Sequence, residues 1–187
     1  MNLTSKELYG IIAFLLVALT LSWCSMFYQR YKMGADDRAI DPIKARALNN
    51  RAVESIRVKN YRAAAQDLLV ALKFNPRFGE AYTNLGNCYF MMGRNDEALA
   101  NFRYGAYYLP TTKHALYNLG AALYQLNDHE ECITVMSQYN HLHKGDVGGL
   151  NILGECYLAV GDSLSARDTF ALAVRYSDIT IKKNANH

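Results

Sequence analysis

The feature that most constrains this 187-residue chain is a self-similarity at 34 residues that persists without a single insertion. Residues 79–112 show the unit. Tyr82, Leu85, Gly86 and Tyr89 recur at helical spacing, Gly93 interrupts them, Ala98, Phe102 and Gly105 restart the pattern, and Pro110 ends it. This predicts two short helices folded back on each other. Steps of 34 align Leu48, Tyr82, Leu116 and Leu150, then Leu85, Leu119 and Leu153, then Ala52, Gly86, Gly120 and Gly154. In the second helix they align Ala64, Ala98, Cys132 and Ala166, followed by Leu68, Phe102, Met136 and Phe170. A hairpin of this size leaves its apolar side in water unless a neighbour covers it. The repeat therefore predicts four stacked units, 45–78, 79–112, 113–146 and 147–180, with the small columns where paired helices approach.

These columns resemble the tetratricopeptide repeat and its W-x2-L-G-x2-Y…A-x3-F…P pattern. Tyr82 stands at the tryptophan position, Leu85 and Gly86 at the Leu-Gly pair, Tyr89 at the tyrosine, and Ala98, Phe102 and Pro110 at the remaining three. The resemblance covers about 136 residues in one register. It implies an all-α chain, a right-handed solenoid of four helix–turn–helix repeats whose first helices line a concave surface. Departures are informative. Arg51 and Ser55 stand where Leu85 and Tyr89 stand one unit on, making the first helix of the first unit polar on its packing side. Tyr139 occupies the small column, Lys144 replaces the terminal proline, and Gly148-Gly149 follow, so the 141–149 turn is expected to be a looser junction.

Ahead of the repeats, residues 8–28 carry no charge over 21 positions, and a helix of that length spans roughly 30 Å, the thickness of a bilayer core. Tyr9 lies at one end and Trp23, Phe27 and Tyr28 at the other, as in interfacial aromatic belts. The expectation is a transmembrane helix contacting lipid, after a short tail over 1–7. A cleaved signal peptide or a lipoprotein signal is the alternative, and Trp23 beside Cys24 spoils both. Arg30, Lys32, Arg38, Lys44 and Arg46 follow the span, whereas Lys6 beside Glu7 precedes it. That bias places the repeats on the cytoplasmic side of an inner membrane, single-pass, with a periplasmic array as the alternative. Residues 29–44 read as a linker in which Asp41-Pro42 is the N-cap and first residue of a helix, and 181–187 as a tail.

Composition narrows the function classes. Hydrophobic content of 51% with charged content of 20% argues against disorder. Residues 29–78 hold eleven Lys/Arg against five Asp/Glu, and 79–187 hold eight against eleven. The basic residues are few and no nucleic-acid motif accompanies them, so no nucleic acid is expected. No phosphate-binding glycine loop, nucleophile motif or carboxylate pair appears, so neither an enzyme nor a cofactor is expected. His141 and His143 with Cys132 fit no zinc spacing, so no metal is expected. Cys88, Cys132 and Cys156, odd in number and in packing columns, are expected to be reduced thiols.

The residues that can carry function lie on the first helices, pointing away from the packing columns. They are Asn49, Asn50 and Arg57; Asn84, Asn87, Phe90 and Met91; Tyr117, Asn118 and Tyr124; and Asn151 and Glu155. Asn50, Asn84 and Asn118 share one column. An asparagine amide both donates and accepts, so such a ladder can pair with the backbone of an extended peptide without demanding its sequence. The resemblance implies a protein-interaction scaffold or assembly factor, with secretion, pilus or envelope machinery as its setting, or alternatively a permanent subunit of such a complex. A chaperone-docking receptor is a further alternative. Asn84 matches its carboxylate clamp, but Asn49, Val53, His114 and Asn118 stand where a lysine, an asparagine, a lysine and an arginine belong. At the far end the last helix, about 162–176, carries Leu164, Ala166, Phe170, Ala173 and Val174, more apolar residues than one stripe needs. Leu164, Phe170 and Val174 are accordingly expected on a terminal face covered by a second copy or a complex subunit.

Overall fold

A computed structural model describes residues 40–184, with side chains to 181. Among these residues every regular element is a helix, and the eight helices form a solenoid of four antiparallel hairpins. The first pairs α1 (Pro42–Arg57) with α2 (Tyr61–Phe74), and the second α3 (Gly79–Met91) with α4 (Asn95–Tyr108). The third pairs α5 (Lys113–Gln125) with α6 (His129–Leu142), and the fourth α7 (Val147–Ala159) with α8 (Ser163–Asn184). Asp41 accepts from the Lys44 N–H at 2.9 Å and Pro42 opens α1, where its missing N–H is not needed.

The four hairpin turns are copies of one another. Each closes with an N–H bonding five residues back: Asn60 to Ser55, Arg94 to Tyr89, Asp128 to Leu123 and Asp162 to Tyr157, at 2.8–2.9 Å. This is the Schellman closure, which requires a left-handed residue just before the donor. Lys59, Gly93, Asn127 and Gly161 fill that place, with φ between 59° and 85°.

Within each hairpin the small column makes room for the large one. A Cβ added at Gly86 would stand 2.7 Å from the Phe102 ring, one at Gly120 2.0 Å from Met136 Sδ, and one at Gly154 2.6 Å from the Phe170 ring. The first hairpin uses Ala52 and Leu68, both fully buried. Between hairpins each second helix packs on the next first helix, and first helices also touch each other, α1 on α3, α3 on α5 and α5 on α7. The backbones of successive second helices stay farther apart, bridged from α4 to α6 by the Arg103 ion pair with Glu131, so the stack curves with the first helices on its inner side.

Four expectations are corrected. The inner-membrane localisation rested on residues 8–28, which lie outside the described residues, and among the described residues no helix is long and apolar enough to cross a membrane. Cys132 and Cys156 are not reduced thiols: they form a disulfide from α6 to α7, their Cα atoms 6.4 Å apart, within the reach such a bond needs. The 141–149 turn is not loose. The Asp146 carboxylate caps α7 by accepting from the Gly149 N–H at 2.9 Å and also pairs with Lys113, while the Tyr176 ring lies over Gly145. Tyr139 is fully buried, and a Cβ at Gly149 would meet its ring at 2.3 Å, so the large residue in the small column is matched by a glycine opposite. Finally, α8 does not stop near 176 but continues to Asn184.

Candidate functional site

The inner face offers one cleft of about 380 Å³ across the first three hairpins, and asparagines dominate it. Asn49 from α1, Asn84 and Asn87 from α3, and Asn118 from α5 all line it. Column spacing explains the convergence: Asn84 and Asn118 are one repeat apart, and Asn87 follows Asn84 by about one helical turn. The Asn84 amide donates to Asn49 Oδ1 at 2.9 Å, joining the first two hairpins. Asn49 is 5% exposed, so its role is to hold the Asn84 side chain in place. Thr83 is similarly inward, donating to the Gly79 carbonyl at 3.0 Å, and its hydroxyl occupies the space left by Gly105.

Other expected residues fall elsewhere. Asn50, Asn151 and Met91 are exposed without lining this cleft, and Arg57 pairs with Glu54 at 3.2 Å on its own helix. Phe90 and Tyr117 are half-buried against the core, the Tyr117 ring 5.6 Å from that of Tyr139. Tyr124 and Glu155 line a second cleft, about 520 Å³, together with His129 between the third and fourth hairpins. Glu80 and His114 also line the inner cleft, Glu80 missed by sequence reasoning and His114 weighed there only as a position of the carboxylate clamp. Each stands four residues before a cleft asparagine, Asn84 or Asn118, and the same column argument one turn earlier would have found them.

No lysine or arginine lines the inner cleft, and Glu80 does. A terminal carboxylate would find no cation there, so the site suits neutral backbone amides or a basic side chain instead.

At the far end Leu164 and Val174 are about 60% exposed, and Ile179 and Ile181 continue the exposed apolar set along the extended α8. Phe170 turns inward over Gly154, and Ala166 and Ala173 are buried. Because neither outer side chain packs on its own chain, Leu164→Glu with Val174→Lys should move stability by less than about 0.5 kcal/mol per site. A urea titration measures this, and a larger loss would mean that the face is folded against something in the isolated protein.

Comparison with known proteins agrees with this architecture. Models of the tetratricopeptide repeat match residues 68–100 and 114–144. A small glutamine-rich tetratricopeptide repeat-containing protein 2 of Mycosarcoma maydis is 32% identical over 79 residues, 42% of this chain and 22% of that protein. The chain thus matches about a fifth of that relative's length. Among solved structures, a crystal structure of MamA superposes with a TM-score of 0.71 at 18% identity, covering 82% of this chain and 86% of that one. The first such repeat domain of Spaghetti (RPAP3), bound to the HSP90 peptide SRMEEVD, superposes with a TM-score of 0.62 at 19% identity, covering 65% and 96%. Residues 68–100 and 114–144 thus match tetratricopeptide repeats, and the solved structures share the fold.

Proposed function

We propose that this chain is a non-catalytic interaction module whose inner cleft holds an extended segment of a partner protein. The observation that carries the reading is the bond from Asn84 to Asn49, which orients one amide of an asparagine cluster lining a cleft without lysine or arginine. Pre-oriented amides lose less entropy when they grip a peptide backbone. The peptide bound to the Spaghetti domain supports the mode of binding, though not the ligand, because that peptide ends in a carboxylate and this cleft has no cation for one.

A photo-crosslinking amino acid at Asn87 followed by mass spectrometry identifies the segment, which is then titrated as a synthetic peptide. Asn84→Ala with Asn118→Ala should weaken its binding by about 5-fold to 150-fold, since each hydrogen bond contributes about 0.5–1.5 kcal/mol. Far-ultraviolet circular dichroism should stay close to wild type. An unchanged affinity would place the segment on another face.

A further inference from the structure

A cavity of about 790 Å³ lies outside the inner cleft, between the turns of the first and second hairpins. Lys59, Arg62 and Arg94 line it, with the rings of Tyr61 and Tyr89 and the Met92 thioether. No carboxylate does. Among the described residues Lys59 and Arg62 make no ion pair, nor do Arg46 and Arg77, whereas Arg51 pairs with Asp67, Arg57 with Glu54 and Arg94 with Glu97. The Arg94 guanidinium also lies over the Tyr89 ring, 4.5 Å from its centroid, so the cation is held at the cavity wall.

Two comparisons within the molecule show that this charge is not required by the fold. At the junction of the third and fourth hairpins the positions of Lys59, Arg62 and Arg94 are held by Asn127, Glu130 and Asp162, none of them a lysine or arginine. Stepping by 34 residues, Arg62 corresponds to Asp96 and Glu130, so the same helix start accepts acidic residues elsewhere. Lys59 is the stronger case. Its counterparts at the left-handed turn position are Gly93, Asn127 and Gly161, residues that tolerate positive φ, and only the first hairpin places a lysine there, at φ 59°. An unfavourable residue kept at a cavity mouth points to function rather than to folding.

We propose that this cavity binds an organic phosphate monoester whose body is aromatic. A phosphate carries nearly two negative charges and three acceptor oxygens, which Lys59 and Arg62, unpaired among the described residues, can neutralise while Arg94, bonded to Glu97 through Nε and Nη2, donates from Nη1, whereas a carboxylate needs only one arginine. The tyrosine rings and Met92 offer a flat, apolar wall for the group that bears the phosphate, and the volume is that of a small-molecule site. Phosphotyrosine on a partner and a nucleoside monophosphate share this chemistry. The site is separate from the inner cleft and does not depend on how that cleft is used.

The test titrates the full chain by calorimetry at low salt with phosphotyrosine, adenosine monophosphate and inorganic phosphate. Saturable binding of at least one aromatic monoester, about 10-fold tighter than inorganic phosphate and weakened by added salt, is expected. Whichever aromatic ligand binds more tightly indicates the source. Arg62→Glu and Lys59→Gly should each weaken binding by about 10-fold or more, the worth of one charge-assisted hydrogen bond. Lys59→Gly should melt at or slightly above the wild-type temperature, which separates lost binding from lost folding. Wild-type protein that binds no monoester at millimolar concentration, binds inorganic phosphate equally well, or loses nothing on Lys59→Gly would overturn the proposal.

Discussion

Tyr139→Ala should destabilise the array by about 3–5 kcal/mol, the range for deleting a large buried aromatic side chain. Tyr139 has no exposed surface and packs against Tyr117, His143 and the backbone of Gly149. Its hydroxyl lies near the Asp146 carboxylate without a hydrogen bond of ordinary geometry, and burial first, then that charge, raises its pKa. Tyr139→Phe should therefore be close to neutral, because it removes a buried polar atom that has no good partner. The informative partner is Gly149. Adding a methyl group there pushes against the Tyr139 ring, so Gly149→Ala should cost about 1–3 kcal/mol in the wild type. In the Tyr139→Ala background the ring is gone and only Asn140 Oδ1, 2.9 Å from the added methyl, must shift, while alanine is the better helix residue, so the same change should cost clearly less than in the wild type. Urea unfolding of the four proteins reads this coupling. Additive effects would mean that Tyr139 and Gly149 do not share the space assigned to them.

The Tyr139 case shows where reading the sequence by columns succeeds and where it stops. The period itself was legible because each hairpin repeats one steric contract, Gly86 under Phe102, Gly120 under Met136 and Gly154 under Phe170, which leaves a mark at fixed spacing. A large residue in a small column suggests disorder only if its opposite number stays the same. Here the opposite column changes too, from Ala81 and Ala115 to Gly149, and the junction tightens rather than loosens. Compensation across helices is visible only when both columns are compared.

The end of α8 was misplaced for a different reason. The three earlier second helices stop at Asn75-Pro76, at Leu109-Pro110 and before Gly145, whereas the fourth has no proline or glycine from Ser163 to Asn184. With no breaker, the helix continues past the repeat boundary. In the inner cleft, Asn84, Asn87 and Asn118 were legible as one face of successive helices. That Asn49 turns inward to hold Asn84 was not, because periodicity gives a residue's face but not its hydrogen-bond partner.

Reducing the Cys132–Cys156 bond, or replacing both residues by alanine, should lower stability by about 2–4 kcal/mol. The bond joins residues 24 apart, and the chain-entropy cost of closing a loop of that size falls within this range. Its position gives the effect a location. Cys132 is on the second helix of the third hairpin and Cys156 on the first helix of the fourth, so the crosslink resists separation of the terminal hairpin, which has neighbours on one side only. The columns contain the signal that could have revealed it. Cys132 stands in the column of Ala64 and Ala98, and Cys156 in that of Cys88 and Ala122, so the same inter-hairpin contact pairs Ala64 with Cys88, Ala98 with Ala122, and Cys132 with Cys156. Only the last has sulfur on both sides. Cys88 is the internal control: burial pushes its thiol up to about 11, so it stays protonated and unreactive until the array unfolds. Alkylation of the unfolded, unreduced protein should accordingly label Cys88 and spare Cys132 and Cys156, and hydrogen exchange after reduction should accelerate first in α7 and α8. Labelling of Cys132 and Cys156 without reductant, or a urea midpoint indifferent to reductant, would show that the two sulfurs pack side by side as thiols and that the fourth hairpin is held by its apolar contacts alone.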